Sequence, residues 1–243
     1  MIESARKRLK ALVPDRAQWN KVDEAIYGVD DLYRVDTAKA QKLLFEALKY
    51  SFQFHFEHSD FYRRFCQGEH ITPDVIKDYS DLVRIPLIPD TFFKDYPLGV
   101  DFYKWLQKIA SVPLPQIEVK GSNSSFDAVI AALQEKDFIV TFSSGTSGKF
   151  SFHPRDALSW QRQQYCIGCC IAEAMGSFYD PGLPLMLVTP RANKTNLFLG
   201  KALGMVYGIL FEAENVTPLL DMRVTTESIR IGSGRTKGIR EWM

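Results

Sequence analysis

From Thr37 to about His58, apolar side chains recur at the spacing of one helix face: Leu43, Leu44, Ala47, Leu48 and Phe52, with lysines on the other side. Phe52, Phe54 and Phe56 alternate as in a strand, but the segment is long and opens with helix formers, so the pattern predicts one helix. Ahead of it, residues 1–33 mix charges with Trp19, Tyr27 and Tyr33 and predict short helices and a linker. Thr72-Pro73-Asp74 opens a short helix, because proline at a first helical position has no donor to lose. Pro86 and Pro89 exclude a regular helix between Ser80 and Asp90, which leaves an extended connector. Residues 101–120 read as a helix and then a strand ending near Gly121. Phe126, Val129, Ile130 and Leu133 put one apolar face on a helix over 123–134.

The run from Phe138 to Phe142 predicts a buried strand. Arg155 to about Ala174 is an amphipathic helix with Asp156 near its start, where negative charge suits the helix dipole. Pro184 to Pro190 predicts a buried, parallel-type strand, and Asn196 to Gly208 a further helix. Strand, loop, helix and strand in that order make a βαβ unit, hence a parallel sheet and an α/β fold. The chain divides into a helical region and connector over 1–100, an α/β part over 101–229, and a flexible Gly/Arg/Lys-rich tail over 230–243.

Composition narrows the partners. With 243 residues, 46% hydrophobic and 13% aromatic, the chain can bury a sizeable core. A net charge of +1 argues against nucleic acid or an acidic membrane surface as partner. No apolar run approaches the ~20 residues of a membrane span, and none follows the charged amino terminus to make a signal peptide. Four cysteines in a chain of this length form no disulfide framework, so a cytoplasmic globular protein is expected.

The chemistry concentrates after the strand at Phe138, in Ser143-Ser144-Gly145-Thr146-Ser147-Gly148-Lys149. Gly145 and Gly148 let the backbone approach an anion closely and turn its N–H groups inward. Ser143, Ser144, Thr146 and Ser147 add hydroxyl donors, as does Thr141 in the strand, and Lys149 adds a mobile positive charge. A Walker A loop is excluded, because Ser143 stands where its first glycine belongs and Phe150 where its hydroxyl belongs. The dinucleotide fingerprint lacks its third glycine, and a nucleophile elbow would need a residue between Ser147 and Gly148. The plain alternative is a polar surface turn between two strands.

This loop resembles the phosphate loop of the adenylate-forming (acyl-activating, AMP-binding) superfamily, Ser/Thr-Ser-Gly-Thr-Thr/Ser-Gly-x-Pro/Lys. Two distant segments agree with it. Phe61-Tyr62-Arg63-Arg64-Phe65, Ile71 to Lys77, Ser80-Asp81-Leu82 and Ile85 to Pro89 resemble the amino-terminal region of phenylacetate–CoA ligases. Ile88 to Lys94 is closer to acyl-protein synthetases, and Arg155 to Trp160 matches the broad group. The resemblance spans about residues 50–175. It implies the parallel-sheet amino-terminal domain of these enzymes and their reaction, in which a fatty or aryl carboxylic acid attacks ATP and the acyl-adenylate passes to a thiol of coenzyme A or a protein cysteine. By carry-over, Ser143, Ser144, Gly145, Thr146, Ser147, Gly148 and Lys149 hold the β- and γ-phosphates with Mg²⁺ bridging their oxygens. Lys149 then neutralises charge without acting as a base.

The family's aromatic-Gly-x-Thr/Ser-Glu motif, its ribose-binding Asp and its mobile-domain lysine have no counterpart; in Tyr207-Gly208-Ile209-Leu210-Phe211-Glu212 the Glu falls one place late. The chain therefore resembles the amino-terminal part only, and a missing carboxy-terminal half is an expected partner. Two other readings stand beside the ligase: an incomplete, non-catalytic homologue that binds nucleotide or a partner chain, and a phosphate-binding transferase of another family.

Other clusters read more simply. Cys166, Cys169 and Cys170 belong to a core-facing helix and lack a second ligand pair for zinc. His55 and His58 lack a third ligand and suit a solvated helix end. His153, just past the loop, is a possible contact for phosphate or the substrate carboxylate, and also a plausible surface residue. Gly232-Ser233-Gly234-Arg235 follows no clear strand, and the Phe-rich stretch from Phe45 to Phe65 offers either core packing or an acyl pocket.

Overall fold

In the amino-terminal region Asn20 Oδ1 accepts from Val22 and Asp23 N–H while Asp23 accepts from Asn20 N–H, a capping box that opens α2 (Lys21–Tyr27). The computed structural model describes residues 2–29, 31, 33–118, 125–144 and 149–232. Before α2 lies α1 (Ile2–Leu9). After it Asp36 caps α3 (Thr37–His58), accepting from Lys39 N–H at 3.1 Å. The alternating phenylalanines are therefore helical. Phe52 is buried with Cys66 and Ile76, while Phe56 flanks that cluster. Ser59 closes α3 and caps α4 (Asp60–Gly68).

Pro73 opens a single 3₁₀ turn, Pro73–Val75, as its position predicts. The connector departs from expectation in its first half. Asp78 and Asp81 form a capping box around the 3₁₀ segment Tyr79–Arg84, so the chain is extended only beyond Arg84. Next comes α5 (Val100–Ile109), and residues 110–118 join no strand; the predicted strand's remaining positions, 119–121, lie outside the described residues. Ser125 caps α6 (Phe126–Gln134), and Asp137 takes the left-handed turn (φ 57°) that sends the chain into β1 (Ile139–Phe142).

The fold is mixed α/β, with two small sheets among the described residues. Strand β1 pairs antiparallel with β2 (Phe152–Arg155), a strand present in the sequence reading only in its alternative of a turn between two strands. The reason is connection length. Residues 143–151 suffice for a hairpin, whereas a parallel return needs a crossover of a dozen or more residues. Asp156 then caps α7 (Ala157–Met175), which ends at Gly176 with φ 52°. The parallel pairing appears further on, between β3 (Leu185–Leu187) and β4 (Val216–Pro218), with α8 (Phe198–Leu210) as the crossover.

The segment Pro184 to Pro190 is a shorter and less buried strand than expected. Leu187 faces the core, but Met186 and Val188 are 65% and 64% exposed on the opposite face, and Leu219 beyond β4 is 60% exposed. The final described element is α9 (Thr226–Gly232), so residues 230–232 are helical, and the remainder of the expected tail lies outside the described residues. Thr226 N–H and Oγ1 both donate to Asp127, docking α9 on α6.

Besides the small cluster around Phe52, two larger cores organise the described residues. One joins α5, α6 and the apolar side of the β1–β2 hairpin through Phe102, Phe126, Val140, Phe142 and Phe152. The other joins Ala5 and Leu9 of α1 to α7, α8, β3 and β4. Between α2 and α7, Arg162 donates to both oxygens of Asp23 at 2.8 and 2.7 Å. Burial opposes ionisation of Asp23, but these bonds and the Asn20 N–H outweigh it and hold its carboxyl below the usual range. No described helix is long and apolar enough to cross a membrane.

Candidate functional site

Side chains alternate across a strand, so the β1–β2 hairpin has two unlike faces. Val140, Phe142 and Phe152 enter the core. The register sets Thr141 opposite His153 and Ile139 opposite Arg155, and opposed residues share a face. Ser143 and Ser151 extend that polar face: Ser143 N–H donates to Ser151 O at 3.0 Å, and Ser151 N–H donates to Ser143 Oγ at 2.9 Å.

The Ser/Gly/Lys loop sits at the tip of this hairpin, and both its ends are anchored. On the outgoing side Phe142 N–H donates to Asn196 O at 3.0 Å. On the return side Phe150 is buried and its N–H donates to Tyr96 Oη at 3.0 Å, with the Tyr96 ring against Phe152 and Phe126. Ser144 and Lys149 are exposed where the loop leaves and rejoins the hairpin, while Gly145, Thr146, Ser147 and Gly148 lie outside the described residues. Ser143 and Ser144 on one side and Lys149 on the other are donors of the type that suits an anion, carried on a hairpin whose ends are hydrogen-bonded in place.

Arg155 is the residue that sequence reasoning missed. It is half-buried, its guanidinium donates to Thr141 Oγ1 at 3.3 Å, and it lies over the Phe198 ring at 5.5 Å. No described carboxylate forms an ion pair with it. Burial lowers its pKa from the ordinary guanidinium value, yet an arginine stays charged, so a partly desolvated cation stands without a counter-ion among the described residues. His153 beside it is held below the usual imidazole range, first by burial and then by the Arg155 charge. The signal for this strand lay in Phe150, Phe152 and Pro154 alternating with Ser151, His153 and Arg155, a period of two masked by reading the helix from Arg155.

His153 and Arg155 open into a cleft of about 580 Å³ walled by Phe54, Phe61, Tyr62 and Phe93. The volume falls within the ~300–1,000 Å³ of small-molecule sites, and its aromatic walls meet polar side chains from β2 and from His55 and Ser111. The walls are held: Phe61 stacks on Phe92 at 4.2 Å, and Tyr62 Oη donates to Pro86 O at 2.9 Å. The Phe-rich stretch thus divides, with Phe52 in the core and Phe54 and Phe61 in the cleft. A second hollow of about 980 Å³ shares Phe61 and Ile109 but reaches no residue of β2.

Comparison of the chain with family models, with curated proteins and with solved structures returned no match. Function is therefore read from the chemistry of the site. Among the described residues no group of three or more His, Cys, Asp or Glu is placed to hold a metal. Asp156 is the one carboxylate among the described lining residues of the cleft, and its Oδ1 already caps α7. That donor set suits polyphosphate and carboxylate oxygens, with Mg²⁺ fitting only as an ion carried largely by phosphate. The cysteines stand apart: Cys66 is buried, burial raises the pKa of Cys166 and pushes Cys169 up to about 11, and none lines the cleft.

Proposed function

We propose that this chain activates an apolar carboxylic acid, fatty or aryl, with ATP, forming an acyl-adenylate and pyrophosphate. The observation that carries the reading is Arg155, a half-buried cation with no described carboxylate partner, at the mouth of an aromatic cleft and on the hairpin that bears the Ser143–Lys149 loop. Two anions must meet in this reaction, so cations and fixed donors have to absorb their repulsion. Arg155 holds the carboxylate while the cleft takes its tail. Ser143, Ser144 and Lys149, with the loop between them, grip the departing pyrophosphate. Mg²⁺, when bound, neutralises phosphate charge; His153 is held neutral at pH 7 and donates or accepts one hydrogen bond beside the carboxylate.

The deciding experiment is carboxylate-dependent ATP–pyrophosphate exchange across octanoate, longer fatty acids and phenylacetate, with Lys149→Ala alongside. Exchange with at least one acid that vanishes in Lys149→Ala supports the reading. A folded protein with no exchange on any acid overturns it. A second reading, a binding module that keeps the fold without catalysis, is favoured by the bare face of the β3–β4 sheet, where Met186, Val188 and Leu219 lie open although parallel sheets are ordinarily covered on both faces.

A further inference from the structure

The aromatic cleft holds a serine hydroxyl within hydrogen-bond distance of an imidazole. Ser111, in the segment after α5, places its Oγ 2.6 Å from Nδ1 of His55 on α3. Both line the 580 Å³ cleft together with His153 and Arg155. Of the three serines there, Ser59 spends its oxygen capping α4, and no bond to a ring nitrogen is found for Ser159. With the ring proton on Nε2, Nδ1 is free to accept the Ser111 hydroxyl proton. The imidazole is kept neutral at pH 7, its pKa lowered by burial and then by His58. The Phe54 ring stands edge-on to it at 5.7 Å and Tyr62 at 6.4 Å, which fixes its plane.

We propose that Ser111 is an acyl acceptor, with His55 as its base, so that an acyl group seated in the cleft is carried as an ester on Ser111 Oγ. This rests on the reading of the cleft as an acyl site, and it answers a question that the cysteines leave open, since none of the four lines the cleft. In the step, Ser111 Oγ attacks the acyl carbonyl as its proton passes to His55 Nδ1. The bond from the carbonyl carbon to the leaving oxygen breaks, that oxygen receives the proton from His55, and no oxidant or reductant takes part. From an acyl-adenylate the leaving group is AMP; from an aryl ester it is the phenol. The Arg155 guanidinium lines the same space and is the cation available to the developing oxyanion.

The test uses the full chain and p-nitrophenyl octanoate without ATP, so that a failure of adenylation and a failure of this step are separate results. A burst of p-nitrophenolate stoichiometric with protein is expected, with one octanoyl group mapped by peptide mass spectrometry to Ser111. Ser111→Ala abolishes the burst, Ser177→Ala on the exposed turn after α7 leaves it unchanged, and His55→Gln slows it by about 10²–10⁴-fold, the usual worth of a general base. Ser111→Cys restores acylation, now as a thioester cleaved by hydroxylamine. Octanoyl groups only on lysines or Cys170, or an undiminished burst in folded Ser111→Ala, overturn the proposal, and mapping on the wild-type chain decides it even where a variant fails to fold.

Discussion

Replacing Arg155 with glutamine removes the cation while keeping an amide donor and much of the side-chain volume. Charged hydrogen bonds contribute about 1.5–3 kcal/mol. At 1.4 kcal/mol per tenfold, carboxylate affinity should fall by about 10- to 150-fold. Stability should change far less. The Thr141 bond contributes about 1 kcal/mol and the Phe198 contact about 0.5–2 kcal/mol, but the variant no longer desolvates a cation that has no counter-ion among the described residues. Titration calorimetry with octanoate and with octanol separates head from tail: the acid should weaken by the stated factor and the alcohol should not. Arg155→Lys keeps the charge but not the planar fork and should fall between the two. Octanoate bound as tightly by Arg155→Gln as by the wild type, or octanol weakened equally, would refute the role.

Three further outcomes follow from the packing. Asp23→Asn breaks the bidentate contact with Arg162 and should cost about 3 kcal/mol in urea unfolding, toward the lower end for a buried pair because Arg162 keeps some solvent access. Since the Asp23 carboxyl is held below its unfolded value of about 3.9, its contribution is complete above that pH and is lost as pH falls through the folded value; the variant should lack this acid-side slope. Lys201 is buried, its Nζ donates to Ala192 O at 3.3 Å, and burial lowers its pKa. Wild-type stability should therefore rise as pH climbs toward about 10.4, and Lys201→Met should remove that rise and be the more stable protein at pH 7. A Cβ at Gly204 would stand 2.9 Å from Ala192 N, so Gly204→Ala should lower the thermal midpoint through about 1–3 kcal/mol of overpacking, despite the ~1 kcal/mol that alanine gains in a helix interior.

On α6 burial follows the 3.6 period, with Phe126, Val129, Ile130 and Leu133 buried where the pattern placed them; on α3 the pattern found the helix but only part of its face, since Ala47 and Phe52 are buried while Leu44 and Leu48 are 44% and 40% exposed. Strand β1 was legible as an apolar run. Its partner was not, because β2 is four residues long, contains Pro154, and runs into a well-capped helix whose start masked it. The 3₁₀ segment at Tyr79 depends on an Asp78–Asp81 capping box rather than on periodicity. At the site, the hairpin tip announced itself in hydroxyls and glycines, but the cleft did not, since it is assembled from α3, α4, the segment after α5 and β2. Arg155 and the Ser111–His55 contact are products of tertiary structure, the latter between residues 56 apart in sequence.

The Asp23–Arg162 contact spans 139 positions, and Leu9 of α1 packs into the notch left by Gly168. At about 5–20 residues per second, a ribosome needs about 7–28 s to make the intervening chain. For that interval the newborn amino-terminal helices carry Ala5, Leu9 and an unpaired Asp23 with nothing to receive them. Synthesis of this protein thus includes a waiting period in which its first helices depend on chaperones or on speed of translation, and slowing codons between α2 and α7 should lower the yield of soluble protein without changing a single amino acid.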